Sequence, residues 1–291
     1  MNMQLIVTHP GSAHKDDFLA CSLLAFLHQV PIQRREPTDE DLADPSICVV
    51  DVGGVHDPKL GNFDHHQFPR DAPPLCALSL VLQSMGIYED ALRFYAWLRP
   101  AEWLDTMGPN KTAELMEIPR SALGALHSPL DTTLLNRFAK QTELKPENPI
   151  YQVMCMVGED IVSYLRSLRQ RLDYLKTHAR YWSIETESEP IQVLFLEKSD
   201  TLLEDPSFGV YAFIESEGKQ NELHAIVCPD RRGDGYGLSR YNDHPRMDFS
   251  KIESCDDVRF AHKNGFVAKV TATEPSRLKE LLKNAVVKND R

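Results

Sequence analysis

Short apolar runs alternate with helix-length amphipathic stretches through the first half of the chain. Gln4–Thr8 and Ile47–Asp51 are dominated by aliphatic residues, continuous enough to be strands buried on both faces. Between them, Asp16–Gln29 carries Phe18, Cys21, Leu24 and Leu27 on a wide apolar face, which predicts a helix. Leu75–Met85 and Tyr88–Leu98 have the same helical character. This β-α-β order predicts an α/β fold with a mostly parallel N-terminal sheet flanked by helices on both faces. Ligands of such sheets bind outside the carboxyl ends of the strands. His9 and Asp51 fall at two such ends.

The pattern changes at Pro149. Ile150, Met154, Val157, Ile161, Tyr164, Leu168, Leu172 and Leu175 recur every three or four residues. They predict one long helix ending near Arg180, about 45 Å in length at 1.5 Å per residue. Beyond Trp182 come strand-like runs at Ile191–Leu196, Gly209–Ile214 and Leu223–Cys228, an extended Phe266–Ala272 and a helix from Pro275 to near Val286. We therefore expect a first domain over 1–148, a connecting helix over 149–182 and a smaller α+β domain over 183–291.

Hydrophobic residues make up 42% and charged residues 26% of the chain, a globular rather than disordered composition. No apolar stretch is long enough for a membrane helix, and the N-terminus reads as a strand, not a signal peptide. The six cysteines include no C-x-x-C pair, and several lie in apolar runs, so buried thiols and a cytoplasmic location are expected. A net charge of -11 argues against extended, non-specific duplex binding, which needs many cations on one face. A short nucleic acid can still be held by a local basic patch.

The strand ends carry the candidate chemistry. His9, His14 and Asp16 follow the first strand, Asp51 ends the second, and Asp64-His65-His66 comes shortly after. Asp105 is a further acidic candidate. Carboxylates suit hard divalent cations, and added imidazoles shift the preference toward metals such as Mn²⁺, with Mg²⁺ also possible. Two cations about 3.5–4 Å apart need a bridging carboxylate, and Asp51 is placed to bridge. Taken singly, each residue has a plainer role. A strand-end Asp commonly caps or turns, a lone His is commonly hydrogen-bonded, and Asp17 can cap the following helix. Three clusters on strand ends are harder to attribute to separate capping.

The same residues resemble the DHH phosphoesterase superfamily, which includes RecJ-like nucleases and family II pyrophosphatases. They resemble the Myg (melanocyte proliferating gene) family more closely. Val7-Thr-His-Pro-Gly-Ser-Ala-His-Lys-Asp-Asp-Phe-Leu-Ala-Cys21 is similar to its opening motif. Val49-Val-Asp-Val-Gly-Gly-Val-His-Asp-Pro58 and Phe63-Asp-His-His-Gln67 are similar to the second and third. Phe260-Ala-His-Lys-Asn-Gly-Phe266 resembles its closing signature. His56 stands where the family often has an aromatic, and Val267-Ala268-Lys269 where it has a glycine pair.

The resemblance implies that residues 1–148 form a DHH-type catalytic domain with two divalent metal ions. His9 and His14 would hold one, Asp16, His65 and Asp105 the other, and Asp51 both. His66 would face the substrate phosphate, and Asp64 would orient the histidines. It implies phosphodiester hydrolysis, with 3′–5′ exonuclease action on short or single-stranded RNA.

Recognition is expected from the second domain. Arg231, Arg232 and Arg240 lie in a Gly-rich region, and guanidinium forks suit phosphate oxygens. Lys263 and His262 add positive character, and His262 and Gly265 belong to the closing signature. A solvated loop balanced by Asp230, Asp234 and Asp243 is the plainer alternative. Two other functions stay open, a pyrophosphatase or an oligo- or cyclic-dinucleotide phosphodiesterase, and a binding module with a structural metal. Peptide hydrolysis has no support, since the chain lacks an H-E-x-x-H helix and a Ser or Cys nucleophile motif. The sequence leaves the oligomeric state unspecified.

Overall fold

The computed structural model describes residues 3–125, 128–199 and 205–287. The chain divides into two units, Met1–Arg166 and Ser167–Arg291. The first unit runs β1 (Leu5–Thr8), α1 (Lys15–His28), β2 (Ile32–Arg34), α2 (Asp39–Ala43), β3 (Ile47–Val50), β4 (His56–Asp57), β5 (Asn62–Phe63) and α3 (Ala77–Ser84). It continues through α4 (Tyr88–Phe94), α5 (Leu98–Leu115), α6 (Arg120–Ala125), α7 (Pro129–Ala139) and β6 (Glu143–Leu144) into α8 (Pro149–His178).

Its six strands lie in the order β4-β5-β3-β1-β2-β6. The four inner strands pair in parallel, and β4 and β6 are antiparallel edges, so the sheet is mixed. Ile6, Val7, Cys48, Val49 and Val50 are wholly buried, as continuous apolar runs on central parallel strands require. Helix α1 packs on them through Phe18, Cys21 and Leu24. A second close contact is made by α8. A β-carbon on Gly158 would stand 2.3 Å from the Ser22 carbonyl oxygen, so only glycine lets the two helices approach this far.

Helix α5 carries a candidate ligand and is anchored by a buried carboxylate. Glu102 accepts hydrogen bonds from Ser79 Oγ and Tyr88 Oη, both at 2.7 Å, one turn before Asp105. The helix kinks at Gly108-Pro109 just beyond. Replacing Glu102 with Leu would remove the acceptor of both hydroxyls, leaving Ser79 only its contacts with Cys76. A loss of about 3 kcal/mol in urea unfolding is expected; an unchanged midpoint would remove this anchor from the account.

The second unit contains the end of α8, then β7 (Ala179–Ile184), β8 (Ile191–Leu196), α9 (Val210–Ser216), β9 (Ala225–Pro229), β10 (Tyr236–Arg240), β11 (Val258–Ala261), β12 (Val267–Val270) and α10 (Pro275–Asn284). The strands form one sheet, β11-β12-β10-β9-β8-β7, antiparallel except for β8 with β9. One face is packed by Leu278, Leu281 and Leu282 of α10 with Phe249 and Ile252.

The long helix is continuous over Pro149–His178, and the division between units falls within it. One expectation is corrected. Gly209–Ile214 is not a strand, since Gly209 adopts a left-handed φ of 72° and caps α9. Val210, Phe213 and Ile214 then share one buried helical face. The six cysteines are all free thiols. Among the described residues, no helix is long and apolar enough to cross a membrane.

Candidate metal centre

The site gathers where β1 and β3 end. After β1 the chain turns through Pro10–Ala13 and enters α1, with His14 as its N-cap. Asp17, three residues on, accepts the His14 N–H at 2.8 Å and the Phe18 N–H at 2.7 Å with one oxygen. Its other oxygen faces His9 Nε2 at 3.1 Å. Asp17 thus caps the helix as the sequence predicts and also holds His9, which the spacing alone did not disclose. Behind it, buried Arg34 of β2 lies 3.5 Å from the same oxygen and donates to the carbonyls of Gly11 at 3.2 Å and Ser12 at 2.9 Å. One guanidinium therefore ties the whole His9–His14 turn to the sheet.

That arrangement gives a test. Arg34→Met would take the buried guanidinium from Asp17 and from the Gly11 and Ser12 carbonyls, leaving His9 beside the carboxylate, at an expected cost of about 3 kcal/mol. As an outer-sphere support its loss is expected to weaken divalent-metal affinity about 10–100-fold by calorimetric titration. Unchanged affinity would count against the role.

Asp51 follows β3 directly and is 3% exposed. Its φ of 58° is left-handed, a conformation uncommon outside glycine, and such backbone tends to be kept at functional sites. Oδ2 of Asp51 lies 3.5 Å from His9 Nε2, and Oδ1 lies 3.1 Å from His65 Nε2. One carboxylate thus presents an oxygen to each of two histidines. His65 Nε2 is also 3.0 Å from Asp105 Oδ2. His14 Nδ1 stands 3.7 Å from Asp105 Oδ1, and His14, Asp16 and Asp105 form one group close enough to share an ion. Asp51, Asp64, His65 and His66 form another.

Asp64 is committed to its neighbours. It accepts the Gly54 N–H at 2.6 Å and the His66 N–H at 3.1 Å, and it holds His66 Nδ1 at 2.6 Å. His66 itself is 63% exposed. An open cavity of about 450 Å³ lies over the cluster, lined by His9, His14, Asp51, Asp64 and His66 among others.

The electrostatics fit a cation. Among the described residues no donor reaches either buried oxygen of Asp16, although the His14 ring and the Asp105 carboxylate lie close by. Burial first, then the charges of Asp51, Asp105 and Asp17, push its carboxyl well above the usual range. Burial also raises Asp51. The hydrogen bond to Asp17 raises His9 to about 9 despite desolvation. Burial would lower His65, but hydrogen bonds to Asp105 and Asp51 outweigh it and raise it to about 10. Burial and mutual repulsion thus favour protonation of Asp16 and Asp51, a demand that a bound cation would relieve. His9 Nδ1 sits 2.9 Å from the Pro10 carbonyl, which can only accept, so Nε2 is the atom left for a metal.

The basic residues of the second unit divide into two places. Arg231 and Arg232 line a cavity on one face of the sheet. Arg240 lies elsewhere, over the Phe266 ring at 4.5 Å and 3.3 Å from Asp243. His262 stacks on the same ring at 5.0 Å. Gly265 turns the β11–β12 connection with a φ of 70°.

Fold and site define an α/β protein with an acid–histidine cluster suited to divalent cations. Residues 5–74 match the model of the MYG1_exonuc family, described as Uncharacterised protein family (UPF0160). The chain is 46% identical over 66 residues to MYG1 exonuclease of Homo sapiens, covering 21% of this chain and 17% of that protein. It is 42% identical over 77 residues to MYG1 exonuclease of Mus musculus, covering 24% and 20%. MYG1 protein of Dictyostelium discoideum is 40% identical over 63 residues, covering 21% and 19%. The matched stretch thus spans about a fifth of each of these relatives. A crystal structure of CDC45 from Entamoeba histolytica aligns with 97% of this chain and 95% of that one, at 8% identity and a TM-score of 0.31, too weak a likeness to carry an argument. The matched stretch includes His9, His14, Asp16, Asp51, Asp64, His65 and His66; Asp105 and the second unit lie outside it.

Proposed function

We propose that the chain is a metal-dependent phosphoesterase of the DHH type, acting as a 3′–5′ exonuclease on short or single-stranded RNA. The observation that carries the reading is Asp51, buried, with one oxygen directed at His9 and the other at His65. The family-model match over residues 5–74 and the partial-length similarity to proteins named as exonucleases support this reaction class. His9, His14, Asp16, Asp51, His65 and Asp105 would hold two divalent cations, with Mn²⁺ favoured by the mixed oxygen and imidazole donors. When bound, such a pair lowers the pKa of water and neutralises phosphate oxygens.

The remaining roles belong to the protein. Asp64 fixes the exposed His66 ring through Nδ1, so that its other edge is assigned to face the substrate phosphate. Arg231, Arg232, Arg240, His262 and Gly265 are assigned to substrate recognition. The openness of His14 and His66, 59% and 63% exposed, favours catalysis over a closed structural site.

A substrate panel tests the proposal. Purified chain stripped of metal is incubated with end-labelled RNA, pyrophosphate and linear and cyclic dinucleotides, with and without Mn²⁺. Stepwise shortening of the RNA from its 3′ end, only with metal, is the expected result. Selective cleavage of pyrophosphate or dinucleotides would replace the substrate assignment, and no cleavage of any member would remove the enzyme.

A further inference from the structure

We propose that the open face of the second unit's sheet holds one nucleotide, its base on Phe260 and its phosphate at Lys269, Arg231 and Arg232. The site deepens the nucleic-acid reading above: it keeps Arg231 and Arg232 and adds Phe260, Tyr211 and Lys269. It is separate from Arg240, His262 and Gly265, none of which lines this cavity.

The strand register builds the floor. Cys228, Gly237, Lys269 and Phe260 are successive cross-strand partners on β9, β10, β12 and β11. Ile226, Ser239 and Val267 form the adjoining row. Alternation sends Val227, Leu238, Ala268 and Val270 to the opposite face, which α10 covers. Across the floor the side chains are small at Gly237 and Ser239, and a cavity of about 690 Å³ remains, within the range of ligand pockets.

The lining has the chemistry of a nucleotide. Phe260 is 50% exposed on the sheet face and meets His262 only edge-on at 6.5 Å, which leaves ring surface for a base. A register shift between Val258 and Phe260 marks a β-bulge beside it, a device that re-aims side chains. Tyr211, 48% exposed, supplies a second aromatic wall and is itself stacked on Tyr241 at 5.1 Å. The Lys269 amine lies over Gly237, where a β-carbon would stand 2.7 Å from it, and rests 3.2 Å from Asp230. Arg231 and Arg232 stand exposed in the lining. An exposed aromatic on a sheet beside several cations is how single-stranded nucleic acids are held, with bases stacked and phosphates paired.

The test uses the intact chain in EDTA, so that the metal centre takes no part. Adenosine 5′-monophosphate, ribose 5-phosphate and a fluorescein-labelled pentauridylate are titrated. AMP is expected to bind, with ribose 5-phosphate at least about tenfold weaker because it lacks the base. Phe260→Ala removes an exposed ring and is expected to weaken AMP about tenfold without disturbing the fold. The Arg231→Ala, Arg232→Ala pair is expected to weaken AMP but not adenosine. Binding of the pentauridylate alone would identify the ligand as a residue of a strand, not a free nucleotide. Absence of binding by both AMP and pentauridylate, or affinity indifferent to Phe260→Ala, would overturn the site. Binding that persists in a chain inactive on the whole substrate panel would sink the enzyme reading and leave this one standing.

Discussion

Asp51→Asn is expected to lower metal-dependent hydrolysis by more than about a hundredfold while leaving the fold intact. Even outer-sphere partners of metal ligands cost 10–100-fold when removed, and Asp51 is the residue whose two oxygens face both His9 and His65. Asparagine keeps the size and tolerates the left-handed backbone of φ 58° that Asp51 adopts. Alanine at this position would confound lost chemistry with backbone strain. The amide retains one oxygen but loses the negative charge, so it cannot neutralise two cations. The check is initial rate on labelled RNA alongside a thermal melt of the metal-free protein. Activity within a few-fold of the parent would contradict the assignment of Asp51.

Restoring metal to a stripped sample is expected to raise the melting temperature, and the rise should widen with pH. At a hundredfold excess over its dissociation constant a ligand stabilises the fold by about 2.7 kcal/mol, or roughly 4–5 °C for a chain of 291 residues. The pH dependence follows from protons displaced by the cation. His9 and His65, raised to about 9 and about 10 in the metal-free chain, exceed the unfolded value near 6.5. Their contribution to the metal-free fold is complete below about pH 6.5 and is lost as pH rises through about 9 to 10. Asp16, also raised, acts in the same direction from a lower starting pH. Stripped protein therefore weakens as pH rises while cation affinity improves. Melts at pH 6.5, 7.5 and 8.5 with Mg²⁺ check this; a metal-induced shift that shrinks over the series would contradict it.

Much of the fold was legible where one interaction dominates. The central strands were readable because both faces are buried and leave continuous aliphatic runs. The long α8 was readable from its repeated stripe, though Leu165 rather than Tyr164 takes the buried position. The short β2, β4, β5 and β6 escaped, since two or three residues carry no period and are held by their partners. Gly209–Ile214 misled because its apolar residues suit a strand and a helix equally, and only the left-handed Gly209 decides.

For the site, His9, Asp51 and the Asp64-His65-His66 triplet stood at strand ends in the sequence. Asp105 comes from α5, where only tertiary packing brings it to His65. Arg34 and Asp17 could not be read as supports. Their significance lies in carbonyls and an imidazole that a sequence pattern does not place beside them. Nor could spacing separate Arg231 and Arg232, in the turn after β9, from Arg240 at the end of β10, which has different surroundings.

The most direct test is a count of bound manganese. Chain dialysed against EDTA is titrated with Mn²⁺, and electron paramagnetic resonance distinguishes free from bound and spin-coupled ions. The account predicts two bound, mutually coupled ions per chain, with the coupling lost in Asp51→Asn. A single uncoupled ion, no bound ion, or an unchanged coupled pair in Asp51→Asn would contradict a dinuclear centre bridged by Asp51.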